Sequence, residues 1–409
     1  MTRESSAGFA LVLTLSLLAL AVVVLVAIAS MTRVGARIAT TATFQTQAQQ
    51  NALVGLGVAL EQLQRLAGPD DRVTAMAGMT GEAPRSSLRH WCGVWRVGTV
   101  APEAWLVSGA EATATPQLSG ERIALVGANT VASPTDRTDQ ELVEVGLLEI
   151  PESAAGAVGR FAYWVGDEGV KVSAIIRAGE EQAAGTSGAE LRPNLRRLVG
   201  GSFSPQSATA AKVLSLEQLR QAADGVPLAS SFHALTHRSV ALSSTARHGQ
   251  PSSDGMVVGA FNVNTTSAAA WRALLEFPAD NDSVFALTSS RTLSGARRIR
   301  DLFAERGRPF ASVEELEASG LLQAAFDSAS PKITAIDQSE LIAELRPILT
   351  VRSDTFRIRA YGEAGWTSGG TRAEAYCEAI VQRTPEITDA TLGRRFVIVY
   401  FRWLVPDDV

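Results

Sequence analysis

The stretch GFALVLTLSLLALAVVVLVAIASMT, residues 8–32, decides the fold of this 409-residue chain. It contains no charged residue. An apolar helix of ~20 residues covers the ~30 Å hydrocarbon core of a bilayer. Gly35 is the one glycine between Gly8 and Gly55, and no proline precedes Pro69. The sequence therefore predicts one continuous helix over residues 9–66, with one half in lipid and the other in water.

Two simple explanations of this apolar stretch stay open at the level of the sequence. The first is a cleaved secretory signal, because Ala27-Ile28-Ala29 offers a small-x-small site before Ser30. Against it, the apolar part is longer than an ordinary signal sequence. The second explanation is a plain single-span anchor. The mature N-terminus distinguishes these explanations.

The second half of the predicted helix carries one apolar stripe. Its members share helical spacing and are Leu53, Leu56, Leu60 and Leu63. Such a stripe must pack on something, and we expect it to cover the core of the globular part. The helix is predicted to stop at Ala67-Gly68-Pro69-Asp70-Asp71.

Length and composition frame the rest of the chain. Its length predicts a globular part of two lobes. The net charge of −5 argues against a general nucleic-acid surface. There are two cysteines, Cys92 and Cys377, and the sequence leaves open whether they pair.

Short apolar runs separated by turn residues predict strands between residues 91 and 150. An aromatic strand, Gly159–Val165, follows. The next residues, Gly166–Gly169, predict a tight turn that leads into a second short strand. Alternation places Tyr163 and Trp164 on opposite faces of the aromatic strand. Residues 175–255 are rich in Ala, Ser, Gly and Arg and predict irregular helices and loops.

The pattern becomes helical after Phe261 and returns to strands after Leu349. The polar run Asn262–Ser267 supplies N-cap candidates for a helix over Ala268–Leu275. Further helices are predicted over Ser294–Arg306 and from a capping box at Ser312 to about Gly320. The closing strands are predicted by alternation or by β-branched content over Thr355–Glu363, Glu374–Arg383 and Arg395–Leu404.

Metal-binding and catalytic patterns are weak. His233 and His237 would share a helix face, but no Glu lies between them, so we expect surface histidines rather than a zinc site. Asp280 and Asp282 lie in a polar loop and offer the hard oxygens that calcium prefers, without the full EF-hand pattern. We expect no enzymatic activity and no cofactor, with calcium as the one alternative.

Three segments in order carry a family resemblance: Trp164–Lys171, Phe261–Ser267 with Arg308–Leu316, and Leu349–Ala360. Behind a Gly-Phe membrane helix, they resemble the minor pseudopilins of type II secretion, of the general secretion pathway protein K type. They are also similar to the large pilin-like proteins of related bacterial cassettes. The resemblance covers about half of the chain.

The resemblance implies an α+β fold of the type IV pilin kind. Its parts are a long N-terminal membrane helix, an antiparallel β-sheet head and an inserted helical lobe of the SAM-like or helix-hairpin-helix-like kind. The implied divisions are a leader peptide (1–8), the transmembrane and amphipathic helix (9–66), the first part of the α/β head (67–174), the inserted, mainly helical lobe (175–348) and the closing strands of the head (349–409).

The resemblance also implies processing and partners. A prepilin peptidase would cut between Gly8 and Phe9 and methylate the new N-terminus. Major pilins carry Glu five residues into the mature chain, and Leu13 at that position suits a subunit at the tip of a filament. Such a subunit spans the inner membrane once, places its head in the periplasm of a Gram-negative-type bacterium, and binds other pilin-like subunits through its helix. It assists assembly or cargo recruitment, and no nucleic-acid partner is expected.

The helical segments have a second resemblance, to helix-hairpin-helix DNA-uptake modules. Those bind phosphate through backbone N–H groups of a Gly-x-Gly hairpin at a helix start. Here the hairpin position is Thr288–Gly295, which holds one Gly. Arg297, Arg298 and Arg300 follow as candidate phosphate contacts. We favour a lobe that contacts protein, and keep as the alternative a single-span envelope protein whose lobe binds DNA.

One short acidic turn is predicted to be structural. Asp167 and Glu168 follow the aromatic strand and precede Lys171, so we expect them at the junction of the two lobes. There their carboxylates would accept hydrogen bonds from backbone N–H groups or arginines. The segments that carry the resemblance add Asn262, Asn264 and Asp354 as further structural residues.

Overall fold

A computed structural model describes the chain in segments. They are residues 5–81, 88–111, 114–131, 141–150, 157–173, 231–238, 240–242, 256–258, 260–275, 287, 289–346, 348–366 and 372–409. Asp280 and Asp282 lie outside the described residues, as does most of the range 175–255. The calcium hypothesis therefore stays a prediction.

The helices begin with one very long helix. In chain order they are α1 Ser5–Ala67, α2 Ala128–Val131, α3 Ala268–Leu275, α4 Ser289–Arg306, α5 Val313–Ser319, α6 Leu321–Ser328 and α7 Gln338–Leu345. The continuous helix predicted over residues 9–66 is confirmed, as is the predicted helix Ala268–Leu275. Ser312 caps α5 by accepting the N–H of Glu315, and Gly320 ends it in the left-handed conformation, as predicted.

The strands before the helical region are mostly short. In chain order they are β1 Arg72–Met76, β2 Cys92–Arg96, β3 Ala104–Trp105, β4 Arg122–Val126, β5 Val143–Gly146, β6 Leu148–Ile150, β7 Ala157–Asp167, β8 Val172–Ser173, β9 Leu235–Thr236, β10 Val240–Leu242, β11 Met256–Val258 and β12 Phe261–Asn262. The closing strands are β13 Leu349–Thr350, β14 Thr355–Trp366, β15 Arg372–Asp389 and β16 Gly393–Leu404. The last three overlap the three predicted closing strands and extend beyond them.

The main sheet has five strands in the order β16-β15-β14-β7-β6, and every neighbouring pair is antiparallel. The segment from β8 to β13 lies between β7 and β14 in sequence, yet those two strands pair directly over eleven positions. The sheet is therefore closed by strands from both sides of the helical region. A smaller antiparallel sheet, β1-β2-β3, lies beside it.

The two faces of the main sheet border two different cores. The C-terminal half of α1 packs on one face, in a cluster that includes Leu56, Leu63, Tyr163 and Val165. Trp164 points the other way, into a larger core shared by the small strands and the helices. The predicted alternation along β7 is therefore confirmed. Residues of both 67–174 and 175–348 contribute to this larger core.

The second short strand predicted after the turn is confirmed as β8, which pairs in parallel with β9 rather than with β7. Among the N-cap candidates of α3, Ser267 is the one whose hydroxyl accepts the N–H of Ala270, whereas Asn262 and Asn264 are fully buried and bond elsewhere. One local expectation is corrected: Leu53 is 44% exposed, so the apolar stripe of α1 does not include it.

Both cysteines are free thiols. Cys92 lies on β2 and Cys377 on β15, and both are buried. Burial raises the pKa of the Cys92 thiol well above its ordinary value, and the charge of Asp167 adds to this shift. Burial also raises the pKa of Cys377, to about 12. Both therefore stay protonated and unreactive at neutral pH.

Candidate functional site

The first half of α1 stands clear of the part of the head that the structure describes. Every residue from 9 to 39 is exposed, although nearly all of those from 9 to 31 are apolar. The polar exceptions are satisfied within the helix: the hydroxyls of Thr14 and Ser16 donate to the carbonyls of Leu11 and Val12 at 3.0 and 2.8 Å. A bilayer requires this, because it offers no water to a polar group.

Within the described ranges, one helix is long and apolar enough to cross a membrane, and it is this one. Gly8 and Phe9 lie within its first two turns, and Leu13 is one of its exposed residues. The cleavage position implied by the resemblance is therefore part of a continuous helix. The helix is equally unbroken at Ala27–Ala29, so its shape does not separate the three explanations of the segment.

The second half of α1 approaches the main sheet through small residues. Ala48, Ala52 and Ala59 are fully buried. A Cβ added at Gly362 of β14 would overlap the backbone of Ala48 and Ala52. This glycine lets the helix backbone lie directly on the sheet. A large side chain on either element would separate them.

Polar side chains fix the position of the helix along the sheet. Asn51 donates to the carbonyl of Glu363 at 2.7 Å. Near the helix end, Gln64 donates to the carbonyls of Leu392 and Arg394 and accepts the N–H of Phe396. These bonds fix register, since they can form at one position only, whereas apolar contacts tolerate sliding. The head is therefore rigidly attached to the C-terminal half of α1.

A buried ionic cluster occupies the opposite face of the sheet. Glu168 accepts from Lys171 at 2.6 Å, from Arg357 at 3.0 Å and from the hydroxyl of Thr236. Arg357 and Arg359 each also bond Glu378 at 2.9 Å. All the charged members are less than 5% exposed.

Electrostatics keep the two carboxylates of this cluster ionised. Burial alone would raise the pKa of Glu168, but Arg357 and Lys171 hold it far below its ordinary value. Burial likewise opposes ionisation of Glu378, and Arg357 and Arg359 hold its pKa far below the usual range. Each ion has several partners, which is the condition under which buried charges are tolerated.

Asp167 belongs to a separate and mainly uncharged network. It accepts from the hydroxyl of Thr74 at 3.0 Å and from the N–H of Gly169 at 2.8 Å. Burial raises the pKa of Asp167 to about 6, because the loss of hydration outweighs its hydrogen bonds, which include one to Ser353. The two predicted acidic residues of the turn therefore have opposite pKa shifts.

Two buried asparagines join the helical segments to the head. Asn262 donates to Thr74 on β1 and to Ser353 at about 3 Å. Asn264 donates to the carbonyls of Phe310 and Val351 and accepts the N–H of Phe310 at 2.7 Å. Each asparagine thus bonds elements from distant parts of the chain.

Asp354 lies next to a second ionic group at the end of α1. Its carboxylate is 3.2 Å from Arg383 and 3.6 Å from Arg352. The same two arginines donate to the carbonyls of Gly68 and Ala67, where α1 ends. Positive side chains at a helix C-terminus complement its dipole and satisfy its last carbonyls. The structure therefore brings Asp354 together with the helix end rather than with Asp167 and Glu168.

The three predicted phosphate contacts lie on α4, and two of them have protein partners. Arg298 donates to Ser328 at 3.0 Å and lies 3.6 Å from Glu305, while Arg300 pairs with Asp301 at 2.7 Å. Arg297 is exposed on the same helix. The position at which a DNA-uptake module would have its hairpin, Thr288–Gly295, is helical over its described residues, because 289–295 belong to α4. Gly295 packs against Ile333 instead of opening a loop.

The expectation of surface histidines is also wrong. His233 is buried and stacks on buried His90, with ring centroids 3.5 Å apart and an angle of 6° between the planes. Glu141 completes the group. His237 is partly buried, and its pKa falls to about 4, first because of burial and then because of the charge of Arg357.

Sequence analysis missed most of the ionic cluster. Arg357, Arg359 and Glu378 alternate with apolar residues along β14 and β15, which normally indicates a solvent-facing side. The signal that was available is the charge pattern, because cations on one strand and an anion on its neighbour can pair across strands. Nothing in the sequence indicated that this face would be covered.

The outer edge of the main sheet is apolar and exposed. β16 is the edge strand, and its exposed large side chains are Ile398, Val399, Tyr400, Phe401 and Trp403. Adjacent residues of a strand point to opposite faces, so both faces of this strand are apolar. Exposed apolar edge strands are typical contact surfaces for another protein.

Comparisons with known proteins give a structural likeness and no likeness in sequence. No protein-family model matches the sequence, and no curated protein matches it. The structure is similar to a chain of the GspK-GspI-GspJ complex from the type 2 secretion system of enterotoxigenic Escherichia coli. The TM-score is 0.35 at 13% identity, and the match covers 64% of this chain and 84% of that chain. A likeness this low carries no weight for function.

The architecture rests on the described elements themselves. A long N-terminal helix leaves its apolar first half free and packs its second half on an antiparallel sheet, and further helices are inserted between the strands. The chain therefore has an α+β, pilin-like architecture.

Proposed function

We propose that this chain is a pilin-like minor subunit of a bacterial envelope filament, of the general secretion pathway protein K type, and that it is not an enzyme. The observation that carries the proposal is the division of α1. Residues 9–39 are exposed and largely apolar, while Phe44 to Ala67 supply the buried residues that hold the head. A helix built this way can enter a bundle of similar helices without disturbing the head.

In this proposal the first half of α1 lies in the inner membrane and the head lies in the periplasm. Other pilin-like subunits bind along the apolar helix, and the edge strand β16 offers a second contact surface. Leu13 in place of an acidic residue supports a position at the tip of the filament, since a carboxylate without a partner in the helix bundle would cost several kcal/mol. There it would assist assembly or recruit cargo.

The proposed divisions of the chain follow from this assignment of the membrane helix and the head. Residues 1–8 form a leader, 9–66 the membrane and amphipathic helix, 67–174 and 349–409 the head, and 175–348 a mainly helical insertion. The pairing of β7 with β14 supports the assignment of both flanking segments to one head. Asp167, Glu168, Lys171, Asn262, Asn264 and Asp354 would serve it as structural residues.

Processing of the N-terminus tests the proposal. We expect the chain isolated from its native membrane to begin at N-methylated Phe9, and we expect Gly8→Val to retain the leader, because a prepilin peptidase requires the glycine. Gly35→Val is the matched control, since a Cβ at Gly35 meets nothing within 4 Å. Mass spectrometry of the intact chain and of its N-terminal peptide measures both.

Two other N-termini would contradict the proposal in different ways. A start at Ser30 would show a cleaved secretory signal and remove the membrane helix altogether. An uncut chain in a host with an active prepilin peptidase would leave a plain single-span anchor. A crosslinker at Leu13 would then be expected to capture no other pilin-like subunit.

A further inference from the structure

A histidine pair and a glutamate from three distant parts of the chain meet at one point. His90 precedes β2, Glu141 precedes β5, and His233 precedes β9. Each offers one ligand atom, and these atoms all lie within 4.8 Å of one another. Both histidines are buried and Glu141 is partly exposed.

The hydrogen bonds assign the lone pairs of both imidazoles. His233 Nε2 lies 2.8 Å from the backbone carbonyl of Glu141. A carbonyl only accepts, so Nε2 carries the proton and Nδ1 has the free lone pair. His90 Nε2 accepts from Arg89 Nε at 2.9 Å, so its lone pair points at Arg89, and the same nitrogen lies 3.4 Å from Glu141 Oε2.

This arrangement has the features of a metal site. Two neutral imidazoles and one carboxylate form a ligand set suited to a divalent transition metal, zinc above all. A metal-bound histidine normally donates its other N–H to a carbonyl or carboxylate, as His233 does to Glu141.

A pocket gives access to the group and provides room for a further ligand. It has a volume of about 410 Å³ and is lined by His90, Glu141 and His233 together with Arg89, Thr266 and Asp301. Three protein ligands with an open side match zinc sites that keep a water molecule in the fourth position. The opening also allows an ion to enter without unfolding the head.

We propose that His90, Glu141 and His233 bind one divalent transition-metal ion, with Zn²⁺ as the preferred ion, and that the ion fastens the segment 231–236 to the head. Phe232 in this segment lies over the ionic cluster, 4.7 Å from Lys171 and about 5 Å from Arg357 and Arg359, measured to its ring centroid. Metal binding would therefore hold the cover of the cluster in place.

Binding requires three local movements. Ligand atoms around a tetrahedral zinc ion lie about 3.4 Å apart, given bonds of about 2.1 Å, so the three groups must close in by roughly 1 Å. The stacked rings must turn until their nitrogens converge. Arg89, which bonds both His90 and the carboxylate of Glu141, must also move aside. Arg89 is thus the competing cation, and this supplies a sharp test.

The test uses the full chain in detergent, without a histidine tag, after treatment with a chelator. We expect one equivalent of Co²⁺ to give the visible absorption of a tetrahedral site and Zn²⁺ to displace it. Zn²⁺ at a hundredfold excess over its Kd should raise Tm by roughly 3–6 °C. Arg89→Gln should bind Co²⁺ more tightly than the native chain, because it removes the competing cation.

Matched histidine variants complete the experiment. His90→Gln and His233→Gln should each lose the Co²⁺ absorption and the zinc-dependent rise in Tm, whereas His237→Gln should retain both. Glu141 is less buried than the two histidines, so Glu141→Gln should weaken binding without removing a ring from the core. Circular dichroism of this variant verifies that it folds. The proposal is overturned if the native chain gives no tetrahedral spectrum, if the double variant His90→Gln/His233→Gln keeps it, or if Ca²⁺ displaces Co²⁺.

Discussion

The two faces of the main sheet are both buried, but they are buried by different means. One face meets α1 through glycine and alanine, with hydrogen bonds at Asn51 and Gln64 to set the register. The other carries Arg357, Arg359 and Glu378: both arginines pair with Glu378, and Arg357 also pairs with Glu168 of the acidic turn. The first face depends on shape and the second on charge balance. Substitutions of similar size should therefore have different consequences on the two faces.

The largest effect is expected on the charged face. Glu168→Gln removes one anion from a cluster that buries Lys171 and Arg357, and it leaves their charges without full compensation. Breaking a buried ion pair in this way costs roughly 3–5 kcal/mol. Denaturant unfolding of the full chain in detergent measures the loss.

Glu314→Gln serves as the control for the charged face. Glu314 pairs with Arg346 on an exposed surface, so its loss should cost less than about 1 kcal/mol. Equal unfolding midpoints for the two variants would mean that the cluster contributes nothing beyond a surface pair.

A slightly smaller effect is expected on the face that contacts α1. Gly362→Ala places a Cβ against the backbone of Ala48 and Ala52, so the helix must shift away from the sheet. Overpacking of this kind costs roughly 1–3 kcal/mol. The measurement is the unfolding midpoint of the full chain.

Gly57→Ala is the matched control for Gly362→Ala. Gly57 lies in α1 with nothing within 4 Å of an added Cβ, so alanine should stabilise the chain by about 0.5–1 kcal/mol. If both substitutions change the free energy of unfolding in the same direction, close contact between helix and sheet does not determine stability here.

The smallest of the three effects depends on pH and concerns Asp167. Its pKa is about 6 in the folded chain and 3.8 as a free group, so its protonated form is favoured by folding. Its contribution to stability is full below the unfolded pKa and is lost as pH rises through 6. Asn imitates the protonated form and does not titrate. The free energy of unfolding of Asp167→Asn, relative to that of the native chain, should therefore rise by about 2 kcal/mol between pH 4.5 and pH 7.5.

The difference between two unfolding curves at each pH measures this gain. His233 and His237 also contribute to the pH dependence of unfolding, and they do so in both proteins. Taking the difference cancels their contributions. A difference that does not change with pH would show that Asp167 stays ionised, held by its hydrogen bonds to Thr74 and Gly169.

The sequence was most informative where a pattern is local. The absence of proline before Pro69 predicted the long helix, and the caps at Ser312 and Gly320 predicted the bounds of α5. Helix formation and capping depend on residues within a few positions of one another, so a single sequence contains the needed information. The alternation along β7 was predicted for the same reason.

Tertiary structure alone decided the partners of the polar residues. Asn262 and Asn264 looked like caps and instead bond β1 and the segments around Phe310 and Val351. His90 and His233 looked unrelated and instead stack. Arg357 and Arg359 looked solvent-facing and instead are buried. In each case the deciding contact joins residues far apart in sequence, and whether a polar face meets water or protein depends on which distant element covers it.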